Sequence, residues 1–227
     1  MYPQRRIVRQ ALMLGLLVTL VVLALSACSA RGQEEGAKAR PLPEDEKALH
    51  PGEYHSVKFK PSLSFRVDNG WANTQPQLPD FIEVGQPGET WAIRFANVKE
   101  VFKPGTRKVV EAPKDLVGWF QHHPYLQTEE PEPVKVGGVK GVQFDVLVKD
   151  LPQDYYGMCG RGCVDIFSLS NGKQIVLFKE ANKRRVIVLE DVKGETVTID
   201  FSSPAANFDE FAPGAQKVID SVKWIGS

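Results

Sequence analysis

Cys159-Gly160-Arg161-Gly162-Cys163 is the local pattern with the most chemistry in it. Two thiols this close can form a small disulfide loop, and the glycines between them let the backbone turn. By the chain-entropy argument such a short loop adds about 2 kcal/mol, less than a long one would. A redox-active pair usually has two intervening residues inside a βαβ surround, and a metal site needs further ligands. A structural disulfide is therefore the expectation. His122 and His123 are adjacent, so on a helix they point about 100° apart and cannot easily share one ion. They read as surface residues at a helix end. The chain has no Gly-x-Ser-x-Gly elbow and no Gly-x4-Gly-Lys-Ser/Thr phosphate loop. Its acids Asp145, Asp150, Asp154 and Asp165 are scattered. No catalytic set, metal site or cofactor is expected. Tyr155, Tyr156 and Met158 fall in an irregular loop beside the cysteine pair. With Trp119, they form the candidate binding surface.

The third cysteine, Cys28, bears on where the domain works. It follows Leu25-Ser26-Ala27 at the end of an uncharged run from Ala11, preceded by Arg5, Arg6 and Arg9. A basic start, an apolar stretch of this length and small residues before a break make a secretory signal. Leu-Ser-Ala-Cys resembles the lipobox of bacterial lipoproteins, which implies that Cys28 is acylated and the chain is cut just before it. Two other readings are weighed: ordinary cleavage after Ala27, and an uncleaved span, which needs about 20 apolar residues where this run has fewer. Acylation on more than one chain holds a protein stably at a membrane, each buried methylene adding about 0.8 kcal/mol. The expected order is a signal peptide over 1–27, a flexible tether over 28–53 and one domain over 54–227. The expected location is the extracytoplasmic face of the cell membrane.

Removing the leader takes away three arginines and no acid, leaving 200 residues with 25 basic against 28 acidic side chains, a net −3. That balance argues against a nucleic-acid partner, which needs a basic face. The length supports one domain with a proper core. From Ser29 to about Gly52 large apolar residues are almost absent, so the segment reads as a spacer. As a flexible coil it would span roughly 25–30 Å.

Alternation at Val57 and Phe59, and again at Leu63, Phe65 and Val67, marks half-buried strands. Asp68-Asn69-Gly70 is a turn before Trp71. Phe81 to Val84 and Trp91 to Phe95 form a hairpin. Residues 113–123 switch to helical spacing, with Pro113 in the first turn and Pro124 ending the helix. Three hairpins follow, turning at Gly137-Gly138, Asn171-Gly172 and Lys193-Gly194. They imply a long antiparallel meander rather than a parallel nucleotide-binding sheet. Lys183-Arg184-Arg185 opens one of these strands and reads as a solvated strand end, with contact to anionic lipid as the alternative. Phe208, Phe211, Ala215, Val218, Ile219 and Val222 give a terminal helix one apolar face, with Pro213-Gly214 a candidate break in its first turn.

Three stretches together resemble the Mog1/PsbP-like α/β/α sandwich found in small lipoproteins of Gram-positive, especially actinobacterial, envelopes. They are Phe65 to Trp71, Val136 to Phe144, and Val218 to Trp224. The family's strand runs into Pro-x-Gly-Trp, where this chain has Asp68-Asn69-Gly70-Trp71 without the proline. The resemblance spans about residues 54 to 225 and rests on turns and core positions. It implies an α+β fold, an antiparallel sheet with helices packed on it, and a docking or binding role. The expected function is a membrane-anchored binding or protein-interaction module for an envelope protein. A carrier of an apolar or lipid-like small molecule is the alternative, and an envelope hydrolase comes third.

Overall fold

The computed structural model describes residues 38–226; the leader, the lipobox and Cys28 lie outside them. Short strands β1 (Arg40–Pro41) and β2 (Lys47–Ala48) come first, then β3 (Gly52–His55) and β4 (Leu63–Val67). Strand β5 (Ala72–Asn73) leads to the hairpin β6 (Phe81–Gly85) and β7 (Ala92–Asn97), followed by the small pair β8 (Glu100–Phe102) and β9 (Val109–Glu111). Helix α1 (Leu116–Gln121) precedes β10 (Leu126–Thr128), β11 (Glu132–Val136) and the long β12 (Val139–Val148). The remaining strands are β13 (Cys163–Leu169), β14 (Gln174–Lys179), β15 (Asn182–Val192) and β16 (Glu195–Pro204). Helix α2 (Phe208–Asp220) and β17 (Lys223–Trp224) end the chain.

The antiparallel central sheet runs β10-β12-β15-β16-β7-β6-β5-β2, with β11 beside β12. Alternation along its strands divides the core. Ile187 and Leu189 of β15 join one apolar cluster with β3, β4 and α2. Val186 and Val188 join a second cluster with α1, β13 and β14. Because successive side chains of a strand point to opposite faces, the two clusters lie on opposite sides of the sheet. One outer layer is α2 with the small sheet β1-β3-β4-β17; the other is α1 with the small sheet β14-β13-β8-β9. The fold is α+β, as expected from the sequence.

The three hairpin turns stand where the sequence places them, with positive φ at Gly137 and Gly138, at Asn171 and Gly172, and at Lys193 and Gly194. The meander they imply needs correction. The β13–β14 hairpin leaves the central sheet, and β15 returns to pair directly with β12. That excursion builds the third layer and covers a sheet face that would otherwise meet water.

The N-terminal boundary also moves. A tether was expected over residues 28–53, yet residues 38–53 are packed on the domain and residues 28–37 lie outside the described chain. Leu42 and Leu49 are buried in the first cluster. Gln77 Nε2 donates to the carbonyls of Leu42 and Pro43, both at 2.8 Å, and Asn73 Nδ2 donates to those of Pro43 and Asp45. Two leucines and these borrowed hydrogen bonds replace the apolar density the segment lacks.

Smaller corrections have local causes. Residues 56–62 form a loop in place of a strand, and Pro61 has no N–H to give a ladder. Helix α1 begins after Pro113: Asp115 is its N-cap, its carboxylate accepting from Gly118 N–H at 2.7 Å. Helix α2 runs unbroken through Pro213.

Candidate functional site

Two surfaces on the α1 side of the central sheet gather functional groups. The first contains the residues read from the sequence. Cys159 and Cys163 are joined by a disulfide with a Cα–Cα distance of 6.3 Å. Gly157 and Gly160 exchange backbone hydrogen bonds at 2.9 and 3.0 Å. The Met158 N–H donates to both carboxylate oxygens of buried Asp165, at 2.9 and 3.1 Å. Gly157 has no room for a side chain, since a Cβ there would sit 2.8 Å from the Cys163 carbonyl. This fastening leaves Tyr156 63% and Met158 54% exposed.

Tyr155 and Trp119 lie on a continuous aromatic path. Trp119 meets His123 at 5.0 Å between ring centroids, His123 meets Tyr125 at 5.9 Å, and Tyr125 meets Tyr155 at 5.2 Å, all edge-on. Tyr125, Tyr155 and Tyr156 line a notch of about 530 Å³ beside Arg107 and Asp154. Burial, and after it the Asp165 carboxylate, push the Tyr155 phenol above its usual range. Trp119 also stacks towards Phe167, so it is mostly a core residue. Of the four expected surface residues, Tyr156 and Met158 are open, Tyr155 is half-buried, and Trp119 supports them from below.

His123 was expected on the surface and is buried instead. Desolvation pulls its pKa down to about 4, so the ring is neutral, and its Nε2 has no hydrogen-bond partner. The backbone turn at Pro124 folds it inward under Trp119. His122 remains exposed and caps the helix through a 2.7 Å contact from Nδ1 to the Gly118 carbonyl. Among the described residues no cluster of three His, Cys, Asp or Glu side chains is placed to hold a metal ion.

The second surface was not foreseen. Glu83, Arg94 and Asp200 stand directly opposite one another on β6, β7 and β16, and Arg184 of β15 joins them. Arg94 Nε meets Glu83 Oε2 at 2.7 Å, and its Nη1 reaches Asp200 Oδ1 at 3.3 Å and Ser202 Oγ at 3.1 Å. Arg184 pairs with the same Asp200 oxygen, lies 4.0 Å over the Phe178 ring and donates from Nη2 to the Leu177 carbonyl. Burial opposes the charge on Arg94, but Glu83 and Asp200 outweigh it and hold its pKa above the usual value. Burial of Arg184, only partly offset by Asp200, pulls its pKa down to about 10. Glu83, Arg94 and Arg184 line a cleft of about 400 Å³ between β14 and the β6–β7 hairpin, with Cys159 at its rim.

The Lys183-Arg184-Arg185 run is therefore not a solvated strand end. Arg184 points into the cleft, whereas Lys183 and Arg185 clamp Asp145 on the opposite face at 2.8 and 2.6 Å. Burial works against the Asp145 carboxylate, and the two cations outweigh it and hold the carboxyl below its usual range.

No protein-family model matches this chain, and no curated protein matches it. Among solved structures it is similar to the solution structure of cyanobacterial PsbP (CyanoP) from Synechocystis sp. PCC 6803. The two share 13% identity with a TM-score of 0.39, over 84% of this chain and 99% of that one. The likeness is one of fold alone.

Proposed function

We propose that the protein is a membrane-tethered, extracytoplasmic interaction module that grips a partner protein of the envelope through the Tyr156–Met158 loop. The carrying observation is that two large, adaptable side chains are held out to solvent by a loop that is itself fastened. Protein interfaces draw most of their affinity from a few such anchors, and ordering them beforehand removes an entropic cost of binding. Tyrosine and methionine suit the role, because one offers a rigid amphipathic ring and the other a thioether that adapts to an irregular surface.

The Leu25-Ser26-Ala27-Cys28 motif supports the tether, and a disulfide in the domain suits an oxidising compartment outside the cytoplasm. Only ten positions separate Cys28 from Lys38, where the described domain begins. Fully extended, they reach at most about 35 Å, which keeps Lys38 within that distance of the acylated residue.

A photo-crosslinking residue at position 156, used in membranes of the native host, tests the reading. The expected result is one discrete adduct that Met158→Asp abolishes and that the same probe at Ile225, in the opposite layer, does not give. No adduct, or the same adducts from both positions, would overturn the assignment of the loop. Cys28→Ala is expected to release the protein from membranes, and unchanged membrane association would remove the lipid anchor.

A further inference from the structure

The charged floor of the cleft is not needed to make this sheet. On the same face Phe81, Ala96, Phe144, Val146, Val186 and Val188 build an apolar cluster. Substituting a buried ion pair by apolar residues of similar volume is often neutral or stabilising. Here Glu83, Arg94 and Arg184 instead line a cleft, and Asp200 pairs with both arginines. Arg94 and Glu83 keep 17% and 13% of their side-chain surface open. Arg184 is 97% buried, and its Nε lacks any hydrogen-bond partner. Arg94 Nη2 likewise makes no hydrogen bond among the described residues.

The balance of charge selects the class of ligand. Arg94, Arg184 and the exposed Lys179 line one cleft with Glu83 and the exposed Glu89, while Asp200 pairs with both arginines. A simple anion gains the cations but meets two carboxylates on the wall and a third already paired with the arginines, and a simple cation meets the reverse. A small dipolar molecule gains from both. With Nε and Nη1 of Arg94 engaged, Nη2 is the donor left to it, and a carboxylate oxygen at the positive end suits that charged N–H. The cleft's volume suits a compact ligand at the small end of the usual range.

We propose that this cleft binds a small zwitterion of the amino-acid type, with its carboxylate on Arg94 and its ammonium towards Glu89. The site is separate from the partner-binding loop and stands or falls independently of it.

Isothermal titration of the full chain in detergent micelles tests the proposal, with a panel of common L-amino acids near neutral pH and acetate and methylammonium as single-charge probes. At least one amino acid is expected to bind saturably, with both single-charge probes far weaker. Losing one charge-assisted contact should weaken binding by about ten- to a hundredfold. Arg94→Lys should show that loss, and so should Glu89→Gln, which alters only the exposed rim and leaves folding intact. Tyr156→Ala should leave affinity unchanged. Binding by no amino acid, acetate binding as tightly as the amino acid, or full affinity in Glu89→Gln and Arg94→Lys would each overturn the proposal.

Discussion

Arg184 and Asp200, on neighbouring strands, form an ion pair in which both side chains are 3% exposed. The same Asp200 oxygen also receives Arg94, so one carboxylate is shared by two guanidiniums, with Glu83 as the second counter-charge. Breaking a buried pair from one side strands the remaining charge at a cost of about 3–5 kcal/mol. Asp200→Asn keeps the shape and removes the charge. It is expected to lower the urea-unfolding free energy by roughly that amount. A loss of less than about 1 kcal/mol would mean that Glu83, Leu177 and water suffice to hold both arginines.

His123 predicts a specific pH dependence. Its folded pKa is about 4, below the ordinary value of 6.5. Above the ordinary value the ring is neutral in both states and costs nothing. As pH falls from 6.5 towards 4 the unfolded chain takes up the proton first, so stability declines through that window. The full effect is roughly 3 kcal/mol at most. Asp145 acts lower down: its carboxyl is held below the ordinary 3.8, so its contribution is lost only in more acidic solution. His123→Phe should therefore flatten the unfolding free energy between pH 6.5 and 4 and leave the acid limb below it. An unchanged slope between those values would place the titration elsewhere.

Leu42 distinguishes a packed N-terminal strap from a spacer. The side chain is almost wholly buried in the α2-side core. Leu42→Ala should cost about 2–5 kcal/mol, as large-to-small core changes do. In a solvated tether the same change would fall within about 0.5 kcal/mol. Chemical denaturation of the pair of proteins decides between them.

The parts of the fold legible in the sequence are those fixed by short-range chemistry. Gly137-Gly138 and Lys193-Gly194 announce their turns because the backbone there needs positive φ, whatever else the chain does. Alternation through β16 likewise separates Val197, Ile199 and Phe201 from Thr198 and Asp200. Alternation also suggests that the polar side of such a strand faces water, and here it does not. The β13–β14 layer covers it, and no local signal in β16 or β7 records a layer contributed from elsewhere. Arg94, Asp200 and Arg184 were hidden for that reason. Leu42 and Leu49 were hidden by sparseness: two anchors in a polar stretch look like none until Asn73 and Gln77 are seen holding the backbone between them. The Tyr156–Met158 loop was legible because its disulfide is a sequence pattern, whereas the Asp165 contact that completes it is not.

The Cys159–Cys163 bridge spans a sequence separation of 4, for which the chain-entropy argument gives about 2 kcal/mol. Replacing both cysteines by serine should cost about that much and leave the fold cooperative, since the central sheet does not depend on them. The local effect should be larger than the global one. Without the bridge, Gly157 and Gly160 keep only two backbone hydrogen bonds to close their turn, and the bond from Met158 N–H to Asp165 is left to hold the loop alone. Hydrogen exchange at the Met158 amide should accelerate by at least about tenfold while amides in β15 and β16 change only with global stability. Alkylation of the parent protein without reductant should leave both thiols unlabelled. If Met158 keeps its protection in the serine variant, the Asp165 carboxylate alone fastens the loop, and the disulfide then serves the exposed rim of the cleft, where Cys159 lies.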